Sequence, residues 1–125
     1  MAWIIAPASM ETLKNPITIA GGGLAGLSLG IALCRHGLDV TLHEASTYPR
    51  HRVCGEFISG VSEDTLAQLG ITKTLADAVP LTTACWSDAA GPLGSMKVTG
   101  RGISRWRLDE NLQQTFTDLG GRLVT

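Results

Sequence analysis

The most specific chemical signal in the chain is a run of glycines near its start. Gly21-Gly22-Gly23-Leu24-Ala25-Gly26 fits the GxGxxG pattern through Gly21, Gly23 and Gly26. Each of these glycines answers a separate physical need. Gly21 lets the backbone turn sharply out of a strand. Gly23 removes a side chain where a pyrophosphate must approach the backbone. Gly26 lets a helix pack closely on the strand before it. A helix that begins here presents unpaired N–H groups and the positive end of its dipole to phosphate. The second signal is Glu44, 18 residues after Gly26. A carboxylate at that point accepts hydrogen bonds from both hydroxyls of an adenosine ribose and repels a 2′-phosphate. Glycines and acid together point to FAD or NAD rather than NADP. The plain alternative is a glycine turn and a solvated Glu with no ligand, and the context of the pattern weighs against it.

A second group of reactive residue types lies at Arg50-His51-Arg52-Val53-Cys54-Gly55-Glu56. Cys54 is nucleophilic only as a thiolate, and no neighbouring base is fixed by the sequence. A catalytic thiol and a small buried residue both stand as readings. Arg52 and Arg105 read either as ligand-binding cations or as surface charges. His36, His43 and His51 share no metal-ligand spacing with a cysteine or carboxylate, so no metal site is expected. Cys34, Cys54 and Cys85 form no CxxC pair and are too scattered for a disulfide framework, which points to a reducing, cytoplasmic setting. Cys34 and Cys85 read as core residues, and Trp86 and Trp106 as packing residues.

The elements that must position these residues follow from periodicity. Ile17-Thr18-Ile19-Ala20 is a β-branched run that stops at glycine, which predicts a buried strand. Leu24, Leu27, Ile31 and Cys34 recur at spacings of three and four. They predict a nearly fully buried helix over 24–36, with Gly37 as its left-handed stop. Asp39–His43 predicts a second strand that delivers Glu44 at its end. Strand, glycine turn, helix and strand within about 30 residues make a βαβ unit with a right-handed crossover. Residues 45–60 read as an irregular loop. A helix over 62–70, a short helix over 72–78 and a hairpin within 81–99 come next. An amphipathic helix over 109–119 turns Leu108, Leu112, Phe116 and Leu119 to one face, and Arg122 opens another strand. The fold class is α/β: an incomplete Rossmann-like βαβ sheet with a small inserted antiparallel region.

With 125 residues the chain has room for one small domain. A net charge of −1 excludes a broad basic surface for nucleic acid or anionic lipid. Charged residues at 17% and apolar residues at 44% exclude a disordered, charge-rich chain. So little charge suits a domain with apolar faces meant for a neighbour. No run of 18 apolar residues predicts a transmembrane helix. The start MAWIIAPASM lacks the basic residues of a signal peptide. Residues 1–15 are expected to be disordered, and 16–125 to form the N-terminal portion of an FAD/NAD(P)-binding domain.

Beyond these readings, the chain resembles a known group. The glycine motif, Glu44, YPRHRVCGEFIS at 48–59 and ISRWRLDENLQQ at 103–114 together resemble the geranylgeranyl-reductase-like flavoproteins. These belong to the class typified by p-hydroxybenzoate hydroxylase. The resemblance covers residues 16–125. It implies that Gly21, Gly23, Leu24, Ala25 and Gly26 cradle the FAD pyrophosphate and that Glu44 holds the adenosine ribose. It implies that Arg52, Cys54 and Gly55 lie along the flavin, with Cys54 a candidate catalytic residue. Arg105 matches the arginine that reaches the FAD in this group, and Asp109 is placed at the start of the following helix. NAD(P)H is the implied electron donor. The implied substrate is a small apolar, isoprenoid or aromatic molecule, either reduced at a double bond or hydroxylated. Members of this class continue well past the length of this chain, so the sequence reads as an N-terminal fragment of such an enzyme. A truncated, non-catalytic nucleotide-binding fragment is the alternative.

Overall fold

The computed structural model describes residues 16–125, so the expectation of disorder over 1–15 lies outside the described residues. Strand β1 (Ile17–Ala20), helix α1 (Leu24–Arg35) and strand β2 (Val40–His43) form the anticipated βαβ unit. β1 and β2 pair in parallel, with Ile17 opposite Val40 and Ala20 opposite His43. The last strand, β6 (Arg122–Val124), pairs in parallel with the other edge of β2. The order β1-β2-β6 therefore puts β2 in the middle.

One face of this sheet is covered. Ile19, Val40 and Leu42 are buried, and α1 packs on β1 and β2 with Leu27 and Ile31 fully buried. Thr18, Ala20 and His43, on the alternate positions, are exposed. β1 is thus a half-buried strand rather than the fully buried one its β-branched run suggests, because helices cover only one side. For the same reason α1 is not buried all round: Leu29 is half exposed.

Helix α3 (Arg105–Asp118) packs along α1, burying Leu108, Leu112 and Phe116. The contact is close at Gly30, where a Cβ would press on the Phe116 ring. α3 begins four residues before the expected start at Asp109. Ser104 caps it, its hydroxyl accepting the Arg107 N–H at 3.2 Å, and this places Asp109 inside the helix rather than at its mouth. Leu119, read as part of the inward face, is the exposed C-cap.

Between β2 and α3 runs the second part of the molecule. Strand β3 (Phe57–Ser59) lies in a segment that reads as loop. It pairs antiparallel with β5 (Gly91–Gly102), which also pairs with β4 (Val79–Asp88), giving the order β3-β5-β4. β4 and β5 are the expected hairpin, longer than 81–99. The Asp88 carboxylate holds its turn by accepting the N–H groups of Ala90 and Gly91 at 2.8 and 3.1 Å. Helix α2 (Glu63–Leu69) is capped by Ser62, whose hydroxyl accepts the Thr65 N–H, and it ends at Gly70 with φ +77°. The short helix expected over 72–78 is one 3₁₀ turn, Thr72–Leu75. Arg35 ties α1 to α2 by donating to the Ala67 and Gln68 carbonyls at 3.0 and 2.8 Å. Cys85, read as core, is exposed on β4, a strand with no buried residue.

Candidate dinucleotide-binding site

β1 ends at Ala20, and Gly21 turns the chain with φ +99°, a region that favours glycine. The turn stays tied to the sheet because the Gly21 N–H donates to the His43 carbonyl at 2.8 Å. Gly26 is required by packing: a Cβ there would overlap the Gly21 carbonyl oxygen. Gly23 is different. It caps α1 with no side-chain hydrogen bond, and a Cβ built on it meets nothing within 4 Å. The chain's own packing does not call for a glycine at that position. The first turn of α1 holds no acidic residue. Among the described residues the N–H groups of Leu24, Ala25 and Gly26 find no acceptor, as at any uncapped helix start.

Glu44 follows β2, and its N–H donates to the Val124 carbonyl at 2.9 Å. Its side chain is only 7% exposed. The carboxylate accepts the Gly22 N–H at 2.7 Å and the Ser46 N–H at 3.0 Å. Arg50 grips it with both terminal nitrogens, at 2.8 and 3.0 Å, and Arg52 lies 3.9 Å away. Burial alone would raise its pKa. The Arg50 guanidinium and the two backbone N–H groups outweigh burial and hold it at about 2. Glu44 is therefore an anion throughout the physiological range. With Gly21, His43, Ala45, Val124 and Thr125 it lines a cleft of about 490 Å³ at the C-terminal ends of the parallel strands. Ligands of open α/β sheets bind at that end.

Arg50 continues the site away from Glu44. It donates to the Gly22 carbonyl at 3.1 Å, and its guanidinium lies 4.6 Å from the centre of the Tyr48 ring. The Tyr48 hydroxyl donates to the same carbonyl, and burial pushes that phenol up from its ordinary pKa. The Arg50 Nε is buried without a hydrogen-bond partner and sits 3.9 Å from Asp109 Oδ2. Asp109 is fully buried and takes a two-pronged ion pair from Arg105, at 2.7 and 2.9 Å. That pair is the main cause raising the Arg105 pKa, and the neighbouring Cys54 sulfur adds to it. Cys54 is exposed, not buried, and its sulfur accepts the Glu56 N–H at 3.4 Å. Gly55 is exposed beside it. Trp106 is half exposed and packs against His51, the ring centres 4.6 Å apart and the planes tilted by 38°.

Gly21, Gly23, Leu24, Ala25, Gly26 and Glu44 thus converge at the C-terminal end of the parallel sheet. Arg52 reaches the same end with a side chain 47% exposed. Arg105 and Cys54 meet each other further along, joined to Glu44 through Asp109 and Arg50. Four members of this network were not legible as site residues: Gly22, Tyr48, Arg50 and Asp109. Gly22 occupies a free position of the glycine pattern, yet a Cβ there would overlap the Tyr48 hydroxyl. Its place in the middle of three consecutive glycines was its only signal. Arg50 stood in view beside Arg52, with nothing local to separate the two.

The sheet order, the glycine turn and the terminal acid define a Rossmann-like dinucleotide-binding fold. The chain belongs to the pyridine nucleotide-disulphide oxidoreductase family, which matches residues 16–79. It is 28% identical over 114 residues to menaquinone reductase of Mycobacterium tuberculosis, covering 86% of this chain and 28% of that protein. It is 33% identical over 70 residues to p-hydroxybenzoate hydroxylase of Acinetobacter baylyi, covering 54% of this chain and 17% of that protein. Among solved structures, 2-methyl-3-hydroxypyridine-5-carboxylic acid oxygenase superposes with a TM-score of 0.75 at 26% identity, over 87% of this chain and 30% of that one. The chain spans less than a third of the length of each of these proteins. Among the described residues no helix is long and apolar enough to cross a membrane.

Proposed function

We propose that this chain binds FAD as part of an FAD-dependent oxidoreductase. The carrying observation is the pairing, at the C-terminal end of the parallel strands, of an uncapped helix start with open space at Gly23 and an ionised Glu44 at the end of β2. The residues fit the group. The N–H groups of Leu24, Ala25 and Gly26 take the pyrophosphate, and Glu44 exchanges its Arg50 contacts for the ribose hydroxyls. Arg105 spends Nε and one terminal nitrogen on Asp109, which leaves its other terminal nitrogen to donate to the cofactor. Arg52, Cys54 and Gly55 border the flavin side, with Cys54 as the candidate catalytic thiol beside a guanidinium. FAD, when bound, supplies either two-electron reduction or activation of dioxygen.

The finer reading is a reductase of the geranylgeranyl-reductase type acting on a small apolar or isoprenoid substrate. The CGE segment at 54–56 and the match to a menaquinone reductase over 86% of the chain support it. A monooxygenase of the same class acting on an aromatic substrate is the second reading, favoured by the oxygenase superposition and the p-hydroxybenzoate hydroxylase match. In both readings NAD(P)H is the electron donor and the setting is the cytoplasm.

Titration of the purified chain with FAD, read by flavin fluorescence, tests the proposal. Binding is expected, with Glu44→Ala weakening it about tenfold, the loss of a charge-assisted hydrogen bond. Unchanged affinity in Glu44→Ala removes the ribose assignment. No binding by the wild-type chain removes the reading that these residues hold FAD by themselves.

A further inference from the structure

Asp109 is a fully buried carboxylate in the body of α3, and helix stability does not explain it. Its partner Arg105 lies four residues toward the N-terminus, the less favourable order for an i,i+4 pair in the helix dipole. A buried ion pair also adds little net stability once desolvation is counted. The pair does something else: it fixes the direction of a guanidinium. Arg105 Nε and Nη2 are both bound to Asp109, so the fork is locked and the remaining donor edge points away from the carboxylate. Asp109 Oδ2 also lies 3.9 Å from the buried, otherwise unpartnered Nε of Arg50. Arg50 in turn grips Glu44 and the Gly22 carbonyl. One carboxylate therefore stands between Arg105 and the cation that holds the glycine turn, Arg50.

We propose that Asp109 is a positioning residue: it locks the Arg105 guanidinium with one terminal nitrogen left to donate to FAD, and it stands beside the Arg50 that grips Glu44 and the Gly22 carbonyl. This rests on the FAD reading above and adds to it the group that sets the arginines in place. Asp109 touches no ligand itself and works through the arginines it holds. Exchange of the carboxylate for an amide removes the charge that two guanidinium groups share.

The test has two arms, both on the purified chain. The first needs no ligand. Arginine Nε–H signals in proton–nitrogen NMR spectra report whether each guanidinium is held. The wild-type chain is expected to show a protected Arg105 Nε–H, and D109N to lose it. A signal unchanged in D109N overturns the proposal. The second arm is FAD affinity in a double-mutant cycle. D109N and R105A are each expected to lose about tenfold, and the double variant no more than about twofold beyond R105A alone. Losses that multiply instead show that Asp109 does not act through Arg105, and overturn it. Should D109N not fold, R105K serves. It keeps the charge without the fork and is expected to bind nearly as weakly as R105A, so full affinity in R105K overturns the proposal. A wild-type chain that holds Arg105 but binds no FAD overturns instead the reading that these residues hold FAD by themselves, a result the first arm separates from failure of the arginine placement.

Discussion

The parallel and antiparallel sheets of this chain are held by different forces. In the parallel sheet Ile19, Val40 and Leu42 are buried under α1, and α3 closes over α1 with Phe116 fully buried. In the antiparallel sheet no strand residue is buried. Its long hairpin is held by ladder hydrogen bonds and leaves Val79, Trp86, Leu93 and Met96 between 49% and 64% exposed. The first region makes a rigid frame out of apolar burial, and groups of the candidate site sit on its rim or are tied to it: the glycine turn, Glu44 and Asp109. The second region carries much of the low charge content as exposed apolar surface. The difference teaches that the glycine turn and Glu44 owe their placement to the buried parallel half.

The contrast is sharpest in stability. Phe116→Ala is expected to cost about 3–5 kcal/mol, because it empties the junction of α1, α3 and Gly30. Met96→Ala, on the exposed hairpin, is expected to cost less than about 0.5 kcal/mol. Urea denaturation followed by circular dichroism measures both, and equal losses break the comparison. The next effect lies at the rim. The Glu44 pKa falls from the ordinary 4.5 to about 2 in the folded chain. A depressed carboxylate stabilises the fold above its unfolded pKa, and that stability disappears as pH falls from 4.5 toward 2. Glu44→Gln is expected to flatten this acid limb of the melting temperature against pH, and an unaltered limb shows that the Arg50 grip contributes nothing. The smallest effect is at Cys54. It is exposed, so Cys54→Ala is expected to leave the melting curve in place while slowing reduction of bound FAD. Wild-type reduction by the variant makes Cys54 a bystander.

Much of the parallel half was legible in the residues alone. β-branched strands, apolar spacing of three and four, and glycine as a turn and stop are local signals, and they located β1, α1 and β2 to within a residue or two. Glu44 was legible because its distance from the glycines fixes it at the end of a strand. The antiparallel half was legible only as a hairpin. β3 went unread because three residues carry no period, and the start of α3 was missed because Ser104 caps it from the edge of a loop. The site network was the least legible part. Arg50 and Arg52 differ by two positions and by nothing in type. A fold that brings Glu44, Gly22 and Asp109 within reach of Arg50 separates them, leaving the Arg50 side chain 10% exposed and that of Arg52 47% exposed.

The sequence by itself determined the βαβ unit, the glycine turn and the terminal acid, because each depends on neighbours a few residues away or on a fixed spacing. Only the tertiary structure decided which cations serve that acid, that Cys54 and Cys85 face outward, and that Asp109 lies buried between Arg105 and Arg50. Those outcomes depend on which distant segments share space, and desolvation and ion pairing act across space rather than along the chain.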